Sequence, residues 1–229
     1  MTNADPAAIE ALRASLERRF RTATTTVQVL GEPLSLCHPA NADELISEED
    51  YVRDERLPYW ADVWPSSVVL AEHVRRAEGA GRRLLELGCG IGLVAASAAR
   101  AGFDVTASDY YEDALEFARL NVATNSGREI SARLVDWRAL PADLGKFNVV
   151  VASDVLYEPR YGPLIAGVFD ATLTAAGVGF VADPGRVAVD AFLAECAQLG
   201  LEAVAGAPVE HQAGTGLQRI RIYEIRRES

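Results

Sequence analysis

The stretch with the clearest chemical character is Leu84–Leu93, whose sequence is LLELGCGIGL. An apolar segment leads into Glu86 and is followed by three glycines, Gly88, Gly90 and Gly92, at every second position. Because glycine has no side chain, such a loop lets the backbone approach a ligand closely. The stretch therefore predicts a ligand-binding loop between a buried strand and the next helix.

An acidic residue further along the chain fits a nucleoside ligand. Asp109 ends the next apolar segment, 21 residues after Gly88. A carboxylate at this position can accept hydrogen bonds from the ribose hydroxyl groups of a bound nucleotide. Dinucleotide-binding enzymes share this feature, so Asp109 indicates a nucleoside ligand without identifying its class.

The spacing of the glycines argues against a dinucleotide. The dinucleotide fingerprint is G-x-G-x-x-G or G-x-G-x-x-A, and Gly88 and Gly90 fit its first two glycine positions. The last position holds Leu93, because the third glycine comes one residue early, at Gly92. An NAD-dependent reductase is therefore the less favoured interpretation.

The elements that must position these residues alternate between strand and helix patterns from residue 82 onwards. The expected strands are 82–88, 104–109, 130–137, 147–154, 177–184, 201–206 and 217–227, and the expected helices are 91–102, 112–127, 162–177 and 187–200. This order predicts an α/β fold, a Rossmann-like doubly wound sheet of seven strands with helices on both faces. The last two strands have no helix between them, so the last is expected to run antiparallel to its neighbours. Ligands of such sheets bind at the carboxyl ends of the strands, where the glycine loop lies.

The residues ahead of this series form an extension. Asp5 and Pro6 predict the start of a helix that reaches about Arg21. Residues 24–39 alternate around Gly31-Glu32-Pro33 and predict a β-hairpin, and residues 41–57 predict a surface connection or a short helix. Another helix is expected over 65–78. We expect residues 1–57 to pack on a catalytic domain formed by residues 58–229.

Composition excludes several classes of function. A net charge of −11 argues against binding to nucleic acid, which needs a basic surface. The three cysteines and three histidines are scattered without metal-ligand spacing, so neither a disulfide framework nor a metal site is expected. No apolar run approaches about 18 residues and the N-terminus resembles no signal peptide, so we expect no membrane span. We expect a cytoplasmic monomer.

Several motifs resemble those of one enzyme family. The E-x-G-x-G-x-G of residues 86–92 resembles motif I of class I S-adenosylmethionine-dependent methyltransferases. Val63-Trp64 and Asp154-Val155-Leu156-Tyr157 are similar to the V-W and D-x-x-Y elements of the seven-strand lysine methyltransferases, which include nicotinamide N-methyltransferase-like proteins. PYWADVWP at 58–65 and ADPGR at 182–186 resemble electron transfer flavoprotein β-subunit lysine methyltransferases and their bacterial relatives. The resemblance covers roughly residues 55–190.

This resemblance implies that S-adenosylmethionine is the cofactor. The residues implied to contact it are Trp64, Glu86, Gly88, Cys89, Gly90, Gly92, Asp109, Tyr110, Asp136, Trp137 and Ser153. Among them, Glu86 is expected to meet the ammonium group of the cofactor, Asp109 its ribose and Trp137 its adenine ring.

The resemblance also implies the residues on the acceptor side. Asp154 and Tyr157 are expected to be catalytic and to orient the acceptor amine. Tyr59 and Trp60 either offer aromatic faces to a cation or pack the preceding segment on the sheet. Asp183-Pro184-Gly185 is equally consistent with a turn, in which Arg186 caps the turn or pairs with an acidic side chain.

The implied activity is transfer of methyl groups to a lysine ε-amine of a protein, with electron transfer flavoprotein β-subunit as one candidate substrate. Two alternatives remain open. One is methylation of a small amine related to nicotinamide, and the other is a non-catalytic protein that binds the cofactor. The acidic stretch 43–56 is consistent with a solvated loop or with a docking surface for a protein substrate.

Overall fold

The computed structural model describes residues 2–45, 58–213 and 216–228. Its helices are α1 (Pro6–Arg19), α2 (Pro65–Arg75), α3 (Leu93–Arg100), α4 (Glu112–Ser126), α5 (Tyr161–Thr172) and α6 (Val189–Gln198). Its strands are β1 (Thr22–Val29), β2 (Glu32–Pro39), β3 (Arg83–Leu87), β4 (Asp104–Asp109), β5 (Ser131–Leu134), β6 (Phe147–Ser153), β7 (Leu173–Asp183), β8 (Leu201–Ala205), β9 (Val209–Ala213) and β10 (Gly216–Arg227). Two short 3-10 segments lie at Ala42–Leu45 and Tyr59–Ala61. Among the described helices, none has the length and apolar character needed to span a membrane.

The central sheet has the expected doubly wound topology. Its order is β5-β4-β3-β6-β7-β10-β8, and the five strands from β5 to β7 run parallel. β10 is antiparallel to both β7 and β8, which confirms the expected reversal of the last strand. The chain order reverses between β3 and β6, so the loop after β3 lies at the point where such sheets bind ligands.

Helices cover both faces of this sheet. The largest cluster of buried hydrophobic residues contains side chains from α2, α3 and α4, from one face of the sheet and from the hairpin formed by β1 and β2. A second cluster packs α5 and α6 on the opposite face. The strands β3 and β6 are therefore buried on both sides, which agrees with the expectation of helices on both faces of the sheet.

The structure shortens the helix expected over 162–177, lengthens the strand that follows it and adds a strand. The helix expected over 162–177 ends at Thr172, because Leu173 already pairs with Phe147 and begins β7. Alanine-rich LTAAG has helical propensity, but sheet pairing decides its conformation. The polar segment Val209–Ala213 forms β9 on the first half of β10, where only a loop was expected.

The N-terminal helix and hairpin form largely as expected. The side chain of Asp5 accepts a hydrogen bond from the backbone N–H of Ala7 and so caps α1, which ends at Arg19. The hairpin turn lies at Leu30-Gly31 rather than around Gly31-Glu32-Pro33, since both Leu30 and Gly31 have the positive φ that a tight two-residue turn requires. Of the expected connection 41–57, residues 46–57 lie outside the described part of the chain.

A buried amide on α4 ties the hairpin to the glycine loop. Asn121 accepts a hydrogen bond from the backbone N–H of Cys37 at 2.7 Å and donates to the carbonyl oxygens of Cys37 and Ile91, each at 2.8 Å. One side chain therefore links β2, α4 and the loop that follows β3.

We expect Asn121→Ala to lower the free energy of unfolding by about 3 kcal/mol, because it leaves three buried backbone groups without their partners. Asn125→Ala is the matched control. Asn125 exchanges two hydrogen bonds with Ser35 at the exposed end of the same hairpin, so its loss should cost about 1 kcal/mol. Urea denaturation of the two variants measures both effects. Equal losses would show that Asn121 has no special role.

Candidate active site

An open cleft lies at the carboxyl ends of β3, β4 and β6. The space between its walls is about 1010 Å³ and is continuous with open solvent. All but one of the sequence-predicted site residues line it. The exception is Gly92, which packs against Ala118 on α4. The cleft also includes Tyr111, Arg138 and Tyr161, which were not expected.

Two of the three loop glycines are required by packing. A Cβ on Gly92 would lie 2.7 Å from the Cα of Ala118 on α4, so this glycine allows the loop and the helix to approach. A Cβ on Gly90 would lie 2.8 Å from the carbonyl oxygen of Trp60. Both residues also have a positive φ, which disfavours any other residue.

Gly88 is the glycine that shapes the cleft wall. A Cβ at this position would approach the side chains of Val155 and Trp137 at 3.2 and 3.4 Å, which is close but does not involve backbone. The glycines of the regular G-x-G-x-G pattern therefore have different structural roles: Gly90 and Gly92 allow close packing, and Gly88 forms part of the cleft wall.

Asp109 orders the loop that faces it. Its carboxylate accepts hydrogen bonds from the backbone N–H of Gly90 at 2.9 Å and of Tyr111 at 3.1 Å. Each carboxylate oxygen has further lone pairs. Asp109 can therefore hold the loop and still accept hydrogen bonds from the hydroxyl groups of a ribose.

Glu86 is a buried acid that faces the cleft. The residue is only 2% exposed, and its Oε2 atom has no hydrogen-bond partner among the described residues. Burial raises the pKa of its carboxyl group to about 8, although a hydrogen bond from the backbone of Ala95 works in the opposite direction and the charge of Asp109 adds to the rise. An unsatisfied acid of this kind suits a cationic group of a ligand.

Trp137 forms a flat wall next to Gly88. Its ring packs edge-on against Tyr161, with a centroid distance of 5.3 Å, and its buried Nε1–H finds no partner within the described ranges. The neighbouring Asp136 binds Arg138 through both carboxylate oxygens, at 2.8 to 3.1 Å. A planar ring with a free donor fits an aromatic heterocycle.

Asp154 lies on the other side of the cleft, directly after Ser153 at the end of β6. Its φ of 57° is left-handed, a conformation that aspartate tolerates better than most residues. One carboxylate oxygen, Oδ1, accepts a hydrogen bond from Nε of Arg186 at 2.8 Å. The other, Oδ2, is buried and has no partner in the described chain.

The loop after β7 supplies Arg186 through a turn. Asp183 accepts hydrogen bonds from the backbone N–H groups of Gly185 at 2.7 Å and Arg186 at 2.6 Å. Asp183-Pro184-Gly185 is therefore a turn, as expected, and of the two alternatives for the Arg186 side chain the structure shows pairing with an acid. The acid that its guanidinium binds is Asp154.

Three aromatic residues surround the mouth of the cleft near Asp154. Tyr59 contacts Trp64 and Tyr157 edge-on, with centroid distances of 5.8 and 5.6 Å. The indole N–H of Trp64 donates to the carbonyl oxygen of Tyr59 at 2.8 Å. Tyr59 is 41% exposed, so an aromatic surface is accessible from solvent.

Trp60 occupies a different environment from its neighbour Tyr59. Its ring is buried against Tyr111 and Phe117, at centroid distances of 6.4 and 5.8 Å. Trp60 therefore packs on α4, whereas Tyr59 is the exposed member of the pair.

The fold and the cleft define a class of protein. The central sheet is doubly wound and has an antiparallel last strand, β10. A glycine loop follows β3, and an acid stands at the end of β4. This is the Rossmann-like methyltransferase architecture. The chain belongs to the lysine methyltransferase family, whose model matches residues 45–186.

Two curated relatives and one solved structure illustrate the similarity. Histone-arginine methyltransferase METTL23 of Xenopus laevis is 33% identical over 109 residues, which cover 44% of this chain and 47% of that protein. The electron transfer flavoprotein beta subunit lysine methyltransferase of Xenopus laevis is 28% identical over 133 residues, 56% of this chain and 53% of that protein. The chain thus spans about half the length of the curated relatives it matches. The 16S rRNA N2 G1207 methyltransferase RsmC of T. thermophilus, solved with AdoMet and guanosine, has the same fold, with a TM-score of 0.62, 15% identity and coverage of 90% of this chain and 51% of that one.

The chemistry of the cleft fits S-adenosylmethionine. This cofactor carries an ammonium group, a ribose and an adenine ring. The cleft presents an unsatisfied buried acid at Glu86, ribose acceptors at Asp109 and a flat wall with a free donor at Trp137.

Substitution of two glycines of the same motif should give different defects. We expect Gly92→Ala to lower the free energy of unfolding by about 3 kcal/mol, since a left-handed alanine and an overpacked helix contact both cost energy. Gly88→Ala should cost only about 1–2 kcal/mol of stability, from the left-handed backbone alone. It should weaken S-adenosylmethionine binding about tenfold or more, because its Cβ narrows the cleft. Thermal denaturation and calorimetric titration separate the two effects, and identical profiles would refute the distinction.

Proposed function

We propose that this chain transfers a methyl group from S-adenosylmethionine to the ε-amine of a lysine in a protein. One observation carries the proposal: Asp154 lines the cleft, and its buried Oδ2 atom has no hydrogen-bond partner in the described parts of the chain. A buried acceptor without a donor costs free energy in the ligand-free protein. A substrate N–H would satisfy it.

On the cofactor side, we assign Glu86 to the ammonium group, Asp109 to the ribose and Trp137 to the adenine ring. Gly88, Cys89 and Gly90 form the backbone cradle, and Tyr110, Asp136, Trp64 and Ser153 complete the lining. When bound, the cofactor supplies a sulfonium methyl group, so the amine nitrogen gains an N–CH3 bond while the C–S bond breaks and an amine proton is released.

On the acceptor side, Asp154 accepts an N–H hydrogen bond from the amine and so aims the nitrogen lone pair into the cleft. Tyr157 and Tyr59 enclose the entrance, where they exclude water and offer aromatic surface to the cationic side chain before it loses its proton. Alignment of the two reactants is the main task in a displacement of this kind. The chain needs no additional nucleophile.

The accessible entrance supports a protein substrate. Tyr59 is half-exposed at the rim, so a long lysine side chain can reach Asp154 while the rest of its protein remains outside. Electron transfer flavoprotein β-subunit is the candidate suggested by one similar relative. We also propose that residues 1–57 are an extension of a catalytic domain at 58–229, supported by the packing of the β1–β2 hairpin on α4.

Labelling tests the proposal directly. The purified protein is incubated with S-adenosylmethionine labelled in the methyl group and with lysate from its own source, and the products are resolved on a gel and hydrolysed. A discrete band that yields methyl-lysine is the expected result. Methyl-arginine, or label confined to small molecules, would assign another acceptor. No transfer despite measured cofactor binding would indicate a non-catalytic protein.

A further inference from the structure

Arg186 contacts two residues of the cleft lining, Asp154 and Trp64, and has no role assigned so far. Its Nε donates to Asp154 Oδ1 at 2.8 Å, and its guanidinium lies over the ring of Trp64, 5.5 Å from the centroid. The side chain of Asp154 is only 6% exposed, whereas that of Arg186 is 34% exposed. The Asp183 turn fixes the backbone of Arg186, so the pair is held from two sides.

We propose that Arg186 is a positioning residue that sets the charge of the acceptor site. By pairing with one oxygen of Asp154, it leaves the other as a hydrogen-bond acceptor within a nearly neutral pair. This inference rests on the proposed methyl transfer to an amine and deepens it.

The reason lies in the protonation state that the reaction requires. An amine attacks only as the neutral base, but an unpaired carboxylate beside it favours the ammonium form and raises the pKa of the amine. Pairing with a guanidinium offsets that effect and still leaves Oδ2 without a partner among the described residues. Arginine suits this task because it stays charged at every pH of interest and its planar group can both pair with a carboxylate and stack on an indole.

The other charged and titratable groups near the pair do not replace Arg186. Asp183 adds a second negative charge, and burial raises the pKa of its carboxyl group. Asp62 and the hydroxyls of Tyr59, Tyr157 and Tyr161 also line the cleft. Arg138 lines the cleft too, but its guanidinium binds Asp136 on the cofactor side. Among the described residues, Arg186 is the cation bound to Asp154.

The first test is the pH dependence of kcat for Arg186→Gln on the acceptor found by labelling, measured from pH 7 to pH 10. The midpoint of the rising limb should move upward by about one pH unit, so that activity at pH 7 falls about tenfold and recovers at high pH. Arg186→Lys keeps the charge and should leave the midpoint in place while lowering kcat. Arg221→Gln is the control, because it removes an exposed cation that binds the carbonyl oxygen of Gly206 instead. A uniform loss at every pH would overturn the inference.

The second test requires no turnover. Binding of n-butylammonium in the presence of S-adenosylhomocysteine is measured by calorimetry for the wild type and the variants. Arg186→Gln should bind this cation several-fold more tightly, and Arg186→Gln combined with Asp154→Asn should lose the gain. Weaker or unchanged binding would overturn the inference. If the wild type methylates nothing while the cation binds as expected, the proposed function fails and the role of Arg186 stands.

Discussion

Asp154→Asn should reduce kcat for methyl transfer by roughly 10²–10³-fold, the loss seen when one well-placed hydrogen-bonding group is removed from a transition state. Asparagine is the informative replacement because it tolerates the left-handed φ of 57° at this position. It can still accept a hydrogen bond from Arg186, but it lacks the carboxylate charge and presents an NH₂ group in place of one oxygen.

The affinity for S-adenosylmethionine should remain within about threefold in this variant, since Asp154 is assigned to the acceptor and not to the cofactor. Single-turnover kinetics gives the chemical step, and calorimetric titration gives the cofactor affinity. Equal losses in both would show that Asp154 shapes the whole cleft and would remove it from the acceptor site.

Glu158→Gln provides the matched control for this experiment. Glu158 is on the same loop as Asp154, four residues later, and pairs with Arg160 at 2.7 Å. Its loss removes one negative charge near the cleft without touching the lining. Activity and cofactor affinity should both stay close to those of the wild type, because partly exposed ion pairs contribute little.

The position of the cleft could be predicted from the sequence because the carboxyl ends of parallel strands lie at one edge of the sheet. Glu86, Asp109 and Asp154 are far apart along the chain, but each stands at or directly after the carboxyl end of a parallel strand. Parallel pairing of β4 with β3 and of β3 with β6 then brings these ends to one edge. The alternation of strands and helices is enough to predict that geometry.

The contacts between the strand ends could not be predicted in the same way. The pair formed by Arg186 and Asp154 depends on the left-handed φ of Asp154 and on the turn at Asp183, and neither follows from a hydrophobic period. Tyr161 lies at the cleft because a short loop returns the chain after Tyr157.

Distant parts of the chain add contacts that local patterns do not contain. Gly92 remains a predicted member of the ligand loop, and it also packs closely against Ala118 on α4. Residues 173–177 had the composition of a helix, but pairing with β6 placed them in β7.

The buried acid Glu86 should lower the stability of the ligand-free protein as the pH rises. Its pKa is about 8 in the folded protein, whereas the pKa of a free glutamate side chain is 4.5. Between these values the unfolded chain releases a proton that the folded chain retains, so the contribution of Glu86 to stability is fully present below about pH 4.5 and is lost as the pH rises to about 8. At pH 7 the loss amounts to about 3 kcal/mol.

Glu86→Gln should therefore raise the thermal midpoint of the ligand-free protein at pH 7 by several degrees, since glutamine cannot ionise. The same variant should bind S-adenosylmethionine about 10–100-fold more weakly, because it loses the charge that faces the ammonium group of the cofactor. A rise in stability with a fall in affinity would be the expected trade-off at a binding site. A fall in both would mean that Glu86 is a structural acid.

The number of protons released when S-adenosylmethionine binds tests whether the charge of Glu86 contributes to the affinity for the cofactor. If the cofactor ammonium draws Glu86 into its ionised form, wild-type binding near pH 7 should release up to one more proton than binding to Glu86→Gln. Calorimetry in two buffers with different enthalpies of ionisation measures this number. The amine of the cofactor itself titrates near pH 8, but it does so with both proteins, so the difference between them reports on Glu86. Equal proton counts would place the cofactor ammonium elsewhere in the cleft and leave the buried Oε2 without a ligand.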